Sequence, residues 1–231
     1  MNNSKKKSTR PKYPRQRASG EFELTHIDPL TERQARVLRS NKHLVLSGYA
    51  GTGKTFLTSY MALRSIFNGE YNRLIYIRSA VASRDLGFLP GTDKEKIEVY
   101  ESPYIDIATE LLGRGDAYSI LKSKGLVHFM STSFLRGTTM RDAIIIVDET
   151  QNMTFQELDT IITRVGPNCK IMFCGDMKQN DLFHKSGFKD FYSILKDMDQ
   201  FDFIDFLKED IVRDELVKNY IIKKDEILNQ R

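Results

Sequence analysis

Between an apolar run and an amphipathic run, the chain reads Gly48-Tyr49-Ala50-Gly51-Thr52-Gly53-Lys54-Thr55. This octapeptide matches the pattern G-x-x-x-x-G-K-[ST], in which glycines allow the backbone to point its N–H groups at phosphate oxygens. Residues 44–46 before it are typical of a buried strand, and residues 56–63 after it carry apolar side chains at helical spacing. The start of that helix adds the positive end of its dipole. The octapeptide therefore predicts a phosphate-binding loop in an α/β fold.

Two side chains of the octapeptide have predicted chemical roles. Lys54 would reach the β- and γ-phosphates of ATP, and the Thr55 hydroxyl would be a ligand of Mg²⁺. A chance glycine-rich turn is the alternative, and the complete pattern with both flanks disfavours it. We therefore expect ATP and Mg²⁺ as cofactors, with all eight residues lining the nucleotide site.

A second apolar run, residues 143–147, ends in two acids. Its composition, Ala-Ile-Ile-Ile-Val, is typical of a strand buried on both faces of a parallel sheet. Asp148 would hold the Mg²⁺ shell, and Glu149 would act as general base on the attacking water. Gln151 would reach the γ-phosphate or its water. Adjacent acids are weak evidence alone, but after a phosphate-binding loop they indicate ATP hydrolysis.

Further runs extend the α/β pattern over residues 21–231. Predicted strands cover residues 73–78, 126–129, 170–174 and 201–206. Predicted helices cover residues 97–112, 117–121, 154–165 and 211–228, the third opened by a capping box at Thr154 and Glu157. Without an internal repeat or a second domain-sized unit, the pattern predicts one domain with a parallel sheet flanked by helices.

Other polar side chains are candidates for ligand contacts. Gln34 lies in a short predicted helix ahead of the loop, and Thr31 or Asp28 would cap that helix. The Gln34 amide can pair with an adenine edge. The alternative is that Gln34 is a surface residue of the helix. Gln179 follows the predicted strand 170–174 and would sense the γ-phosphate. The long segment 79–96 follows a strand, where open α/β sheets place ligands. Arg78 at the end of that strand and Arg84 within the segment would contact phosphates, and Phe88 would stack on a base or pack internally.

The net charge of +4 is unevenly distributed along the 231 residues. Residues 1–20 hold seven basic groups and no acid, which leaves 28 basic and 31 acidic groups in the rest. We expect residues 1–20 to be a disordered basic tail, either a phosphate-binding arm or a solvated tail. No run approaches the roughly 20 apolar residues of a membrane span, and no secretory signal is visible. Cys169 and Cys174 are expected to be buried free thiols in a cytoplasmic protein.

These motifs together resemble the PhoH-like ATPases, particularly the compact type encoded by bacteriophages. The resemblance runs from about Gln34 to Tyr220. It rests on residues 48–55, Leu-Gly-Phe-Leu-Pro-Gly at 86–91, Leu-Arg-Gly-Thr-Thr at 135–139, Val-Asp-Glu-Thr-Gln-Asn at 147–152, Cys-Gly-Asp-Met-Lys-Gln at 174–179 and Ile-Val-Arg-Asp-Glu-Leu-Val at 211–217. It implies a P-loop NTPase with a RecA-like fold, similar to one core of a superfamily 1 helicase, that links ATP hydrolysis to RNA or single-stranded nucleic acid.

The resemblance also implies residue roles. By this comparison Gln34 would contact adenine, Asp148 would hold the metal and Glu149 would be the base. Gln179 would contact the γ-phosphate. Arg213 would stabilise transition-state charge with its planar fork, either on its own nucleotide or on a neighbour's.

Two residues and the chain length depart from the family pattern. Tyr49 stands where the family usually has Pro, and Thr150 where it usually has Ala; neither change removes a catalytic group. Superfamily 1 helicases place ATP between two RecA-like domains, and this chain has room for one. We therefore expect a homo-oligomer, such as a hexameric ring, in which another subunit supplies the missing half; in phage infection it would work in the host cytoplasm.

Three function classes remain open from sequence. The first is an ATPase that moves on or remodels RNA or single-stranded DNA. The second is a small-molecule phosphotransferase, although no acceptor pocket or arginine-rich lid is visible. The third is a nucleotide-gated binding or assembly protein with little turnover.

Overall fold

The computed structural model describes residues 22–79, 93–135, 137–176 and 187–228. Its strands are β1 (His43–Gly48), β2 (Arg73–Arg78), β3 (Val127–Ser131), β4 (Ala143–Val147), β5 (Cys169–Cys174) and β6 (Phe201–Phe206). They form one parallel sheet in the order β3-β2-β4-β5-β1-β6. The α/β fold with a parallel sheet is therefore confirmed. The tail 1–20, residues 86–91, Arg84, Phe88 and Gln179 lie outside the described residues.

Helices connect the strands, as a parallel sheet requires. They are α1 (Glu32–Arg39), α2 (Lys54–Phe67), α3 (Asp93–Leu112), α4 (Ala117–Ser123), α5 (Phe155–Thr163), α6 (Phe188–Lys196) and α7 (Glu215–Leu228). Short 3-10 helices cover Thr132–Phe134, Thr150–Asn152 and Lys208–Asp210. The predicted cap Thr31 accepts a hydrogen bond from the Gln34 N–H, and the capping box at Thr154 is present.

The strand β4 shows how the sheet divides the core. Ile144 and Ile146 pack in a cluster with side chains of α2, α3 and α4. Ile145 and Val147 face the opposite side and pack with side chains of α5 and α6. Every residue of this strand is buried, which confirms the predicted two-sided burial and explains why its sequence is continuously apolar.

The strand order brings the two sequence anchors to one edge of the sheet. Only β5 separates β1 from β4, so the loops that follow all three strands meet at their carboxyl ends. Gly175, just after β5, donates its N–H to the Leu46 carbonyl at 3.0 Å, and a side chain there would collide with the Thr150 hydroxyl. This close approach requires glycine and packs the β5 loop against the residues after β4.

Three expectations need correction. The helix predicted from residue 97 begins at Asp93, within the segment 79–96. The helix predicted from residue 211 begins at Glu215, so Arg213 lies in the connection before α7 rather than in the helix. The Asp214 carbonyl accepts a hydrogen bond from the Lys218 N–H and marks the actual start. Both cysteines are free as expected, but Cys169 is only partly buried because it opens β5 at the opposite edge of the sheet.

Candidate nucleotide-binding site

The phosphate-binding loop joins β1 to α2 and depends on left-handed backbone conformations. Gly48, Gly51 and Gly53 have φ angles of 117°, 76° and 84°. Such angles strain any residue with a Cβ. At Gly48 a side chain would also collide with the Phe206 carbonyl of β6. The glycines of the octapeptide thus serve both the turn itself and its packing against the neighbouring strand.

Lys54 lies at the centre of this loop. Its Nζ donates to the carbonyl oxygens of Gly48 at 2.9 Å and Tyr49 at 2.8 Å. Burial lowers the pKa of Lys54, and the negative charge of nearby groups, Asp176 first, opposes that shift. The ammonium group is therefore held inside the loop by carbonyls, where phosphate oxygens would replace them as stronger acceptors.

Asp148 lies against the start of α2. Its Oδ1 accepts from the Thr55 hydroxyl at 2.9 Å, and its Oδ2 accepts from the Tyr104 hydroxyl at 3.1 Å. The residue is only 6% exposed. Burial, followed by the nearby Glu149, raises the pKa of this carboxyl, although the two hydroxyls and Arg78 oppose the rise. A hydroxyl and a carboxylate side by side are oxygen donors of the kind Mg²⁺ prefers, so these residues fit the expected ion.

Glu149 follows in a left-handed conformation, with φ 53° and ψ 43°. Few residues other than glycine adopt it, and such backbone strain concentrates at functional sites. Gln151 donates its Nε2 to Glu149 Oε2 at 2.6 Å and accepts the Asp176 N–H at 2.9 Å. Gln151 therefore ties the carboxylate to the loop after β5. Its predicted contact with the γ-phosphate stays a prediction.

Gln34 supports the loop from the side of α1. Its Nε2 donates to the Thr52 carbonyl at 3.1 Å, and its Oε1 accepts from the Leu30 N–H at 2.7 Å. The Thr52 hydroxyl in turn donates to the Tyr49 carbonyl at 2.9 Å. The side chain is buried rather than a surface glutamine, and its adenine contact stays a prediction.

The connection before α7 crosses the other side of the loop. The Val212 N–H donates to the Gly51 carbonyl at 3.0 Å. The side chain of Arg213 lies close to Gly51, since a Cβ added at Gly51 would be 2.7 Å from Arg213 Cγ. Arg213 is exposed. The structure thus places this arginine on the phosphate-binding loop of its own chain.

Three neighbours of the site were not expected from sequence. Asp176 is buried and faces Lys54, Tyr104 contacts Asp148, and Asp225 of α7 accepts a hydrogen bond from the Tyr49 hydroxyl. Asp176 could have been found from the sequence, because a polar residue directly after a buried strand indicates a position at the site. Tyr104 and Asp225 lie in helices far along the chain, where only the packing of the fold brings them to the site.

A phosphate-binding loop after β1, an acidic residue at the end of β4 and a parallel sheet together define the P-loop NTPase fold. Residues 26–224 match the family model described as PhoH-like protein. The chain belongs to this family, and the resemblance drawn from its motifs is confirmed.

Curated relatives support the same assignment. PhoH-like proteins of Synechocystis sp. and Bacillus subtilis are 36% and 37% identical to this chain over 197 and 177 residues. Protein PhoH of Escherichia coli is 31% identical over 185 residues. These matches cover 83%, 75% and 78% of this chain but 60%, 55% and 52% of the relatives. The chain thus spans little more than half the length of these bacterial proteins, and its phage origin stays a prediction.

Solved structures share the fold at low sequence identity. The large terminase of a thermophilic bacteriophage aligns with a TM-score of 0.52 at 14% identity, over 84% of this chain and half of that one. A second crystal form of that terminase, in complex with ADP, aligns with a TM-score of 0.51 at 15% identity over 83% and 49% of the two chains.

In the described part of this chain, no helix has the length and apolarity to cross a membrane.

Proposed function

We propose that this P-loop ATPase hydrolyses ATP with Mg²⁺ and couples hydrolysis to the binding or remodelling of RNA or single-stranded DNA, as a helicase-like motor. One observation carries the hydrolytic part. The chain holds Thr55 against Asp148 while Gln151 holds Glu149 at the same edge of the sheet. These contacts support a metal position at Thr55 and Asp148 with a base position at the adjacent Glu149.

The chemistry assigns a separate task to each group. Lys54 would leave the loop carbonyls for the β- and γ-phosphates, and Thr55 with Asp148 would hold Mg²⁺, which offsets phosphate charge when bound. Glu149 would accept a proton from water as the water oxygen bonds to the γ-phosphorus. The bond from that phosphorus to the β–γ bridging oxygen then breaks, which gives ADP and inorganic phosphate.

Arg213 would stabilise the negative charge that builds on the transferred group. Its place on its own loop supports an action in cis. Gln179 would contact the γ-phosphate and Gln34 would contact the adenine, as the family resemblance implies.

A motor requires that loss of phosphate moves a segment beside the site. The loops at the carboxyl ends of the strands are the candidates for this movement.

Support for nucleic-acid binding comes from a cavity at the carboxyl end of β3. Its volume is about 340 Å³, and it is lined by Thr132, Ser133, Thr154, Gln156, Glu157 and Thr160. Hydroxyl and amide groups are common partners of nucleic-acid phosphates and sugars. Glu157 is already engaged by the hydroxyls of Ser79, Thr132 and Thr154. The remaining hydroxyls and the basic tail would contact the sugar–phosphate backbone.

Support for a homo-oligomer comes from α7. Leu216 and Tyr220 are 78% and 66% exposed on this helix, beside the connection that carries Arg213. A second subunit covering this face would supply the second half of a helicase-like site. Sedimentation at saturating ATP tests the assembly, and a strict monomer under those conditions contradicts it.

ATP turnover by the purified protein tests the function, measured alone, with single-stranded RNA and with single-stranded DNA. We expect turnover that polynucleotide accelerates and that both Lys54→Ala and Glu149→Gln abolish. Turnover indifferent to nucleic acid favours the small-molecule phosphotransferase. Tight ATP binding without turnover favours a nucleotide-gated switch.

A further inference from the structure

Both carboxylate oxygens of Asp148 are held by hydroxyl groups from different helices. Thr55 of α2 donates to Oδ1, and Tyr104 of α3 donates to Oδ2. Asp148 and Tyr104 are both buried, and Tyr104 has no exposed surface. A carboxylate fixed at both oxygens keeps one orientation, and the hydroxyl from α3 decides that orientation as much as the one from the phosphate-binding loop.

Tyr104 is itself fixed by the sheet. Its ring stacks on Tyr76 of β2, with centroids 4.0 Å apart and an angle of 18° between the planes. The Tyr76 hydroxyl donates to Ser59 at 2.9 Å, and Ser59 donates to the Thr55 carbonyl at 2.7 Å. Together with the two hydrogen bonds to Asp148, these contacts form a closed network that joins α3, β2 and α2.

A second network, around the buried carboxylate of Glu101, joins α3 to α4. Glu101 is 3% exposed and accepts from Lys122 of α4 at 2.7 Å and from the Tyr118 hydroxyl at 3.2 Å. This network lies one helical turn from Tyr104 on α3, so α3 and α4 are tied to each other independently of the nucleotide site.

We propose that Tyr104 is a positioning residue for the metal-holding Asp148, and that α3 through this residue sets the metal affinity of the nucleotide site. The inference rests on the proposed role of Asp148. The ring of Tyr104 needs no hydroxyl to fill its place in the core, whereas the hydroxyl reaches the one carboxylate expected to face the ion. Partners of this kind orient metal ligands, and their loss lowers metal affinity about 10–100-fold.

Tyr104→Phe tests this directly, because it removes the hydroxyl and keeps the ring. Tyr118→Phe is the matched control, because it also removes a buried hydroxyl that donates to a carboxylate. That carboxylate belongs to Glu101 and lies away from the nucleotide site. Calorimetric titration would measure ADP affinity without metal and then Mn²⁺ affinity of the ADP complex. We expect Tyr104→Phe to leave metal-free ADP affinity unchanged and to weaken Mn²⁺ binding by about 10–100-fold. Tyr118→Phe should leave both affinities unchanged.

Two results would overturn the proposal: Mn²⁺ affinity of Tyr104→Phe equal to that of the parent protein, or an equal loss in both variants. Neither depends on turnover, so a protein that binds metal and ADP but does not hydrolyse ATP would refute the proposed function alone.

The parent protein offers a second measurement in case Tyr104→Phe does not fold. Coupling between sites is reciprocal, so Mn²⁺ added to the ADP complex must protect the amides around Tyr104 in α3 from hydrogen exchange more than those of α4. Equal protection in the two helices would also overturn the proposal.

Discussion

The two sides of the phosphate-binding loop are built in opposite ways. On the β4 side, Thr55, Asp148 and Tyr104 form hydrogen bonds inside the core, and Asp148 is 6% exposed. On the α7 side, Arg213 is exposed and reaches the loop from a connection. The buried side fixes the orientation of the expected metal ligand before any nucleotide arrives, whereas the exposed side can change position at little cost to the fold.

This difference predicts how substitutions will behave. A change on the buried side should alter both the stability of the fold and the activity, since the same contacts serve both. A change on the exposed side should alter activity alone.

The largest effect is expected for Asp148→Asn on the buried side. The amide can still accept from Thr55 and donate to the Tyr104 oxygen, but it is a poor metal ligand. Turnover at saturating Mg²⁺ should fall by about 10²–10³-fold, the range for loss of one preorganised electrostatic group. Asp142→Asn is the control, because Asp142 precedes the opposite end of β4, where it accepts from Asn168. It should keep full turnover in the same steady-state assay.

The same substitution should raise the stability of the metal-free protein. Burial raises the pKa of Asp148 above its value in the unfolded chain, so the folded state prefers the protonated form. Ionisation therefore costs folding free energy above the folded pKa and costs nothing below the unfolded pKa. Melting curves should show a gain in melting temperature near pH 8 that shrinks toward about pH 4. A gain that grows on acidification would contradict the assigned cause.

Arg213→Ala should have the next largest effect, and on activity alone. An arginine at a transferred phosphoryl group can contribute about 10³–10⁵-fold, but an exposed guanidinium acts in a high dielectric, so we expect a fall in kcat of about 10–100-fold. The melting temperature should not change. Arg114→Ala, another exposed arginine, paired with Asp116, is the control for charge removal. A loss of stability in Arg213→Ala would show that this side, too, is part of the core.

The same contrast explains how far the sequence could predict the site. Thr55, Asp148 and Glu149 stand in continuous motifs beside apolar runs, so local pattern sufficed to bring them to one edge of a parallel sheet. Tyr104 lies in a helix whose sequence shows only burial, and nothing local indicates which polar atom its hydroxyl will meet. The start of α7 was predicted too early because Ile211 and Val212 continue the apolar spacing, although they precede the helix and Val212 bonds to the loop instead.

The smallest effect is expected for Tyr49→Phe, where the two sides meet. The Tyr49 hydroxyl donates to Asp225 of α7, which also lies 3.4 Å from Lys208. Removing this one hydrogen bond should cost about 0.5–1.5 kcal/mol, or a few degrees in a melting curve. Because Lys208 still holds Asp225, α7 should stay in place and kcat should change by less than about threefold. A fall in kcat as large as that of Arg213→Ala would mean that Tyr49, through α7, positions the arginine, and the exposed side would then be as preorganised as the buried one.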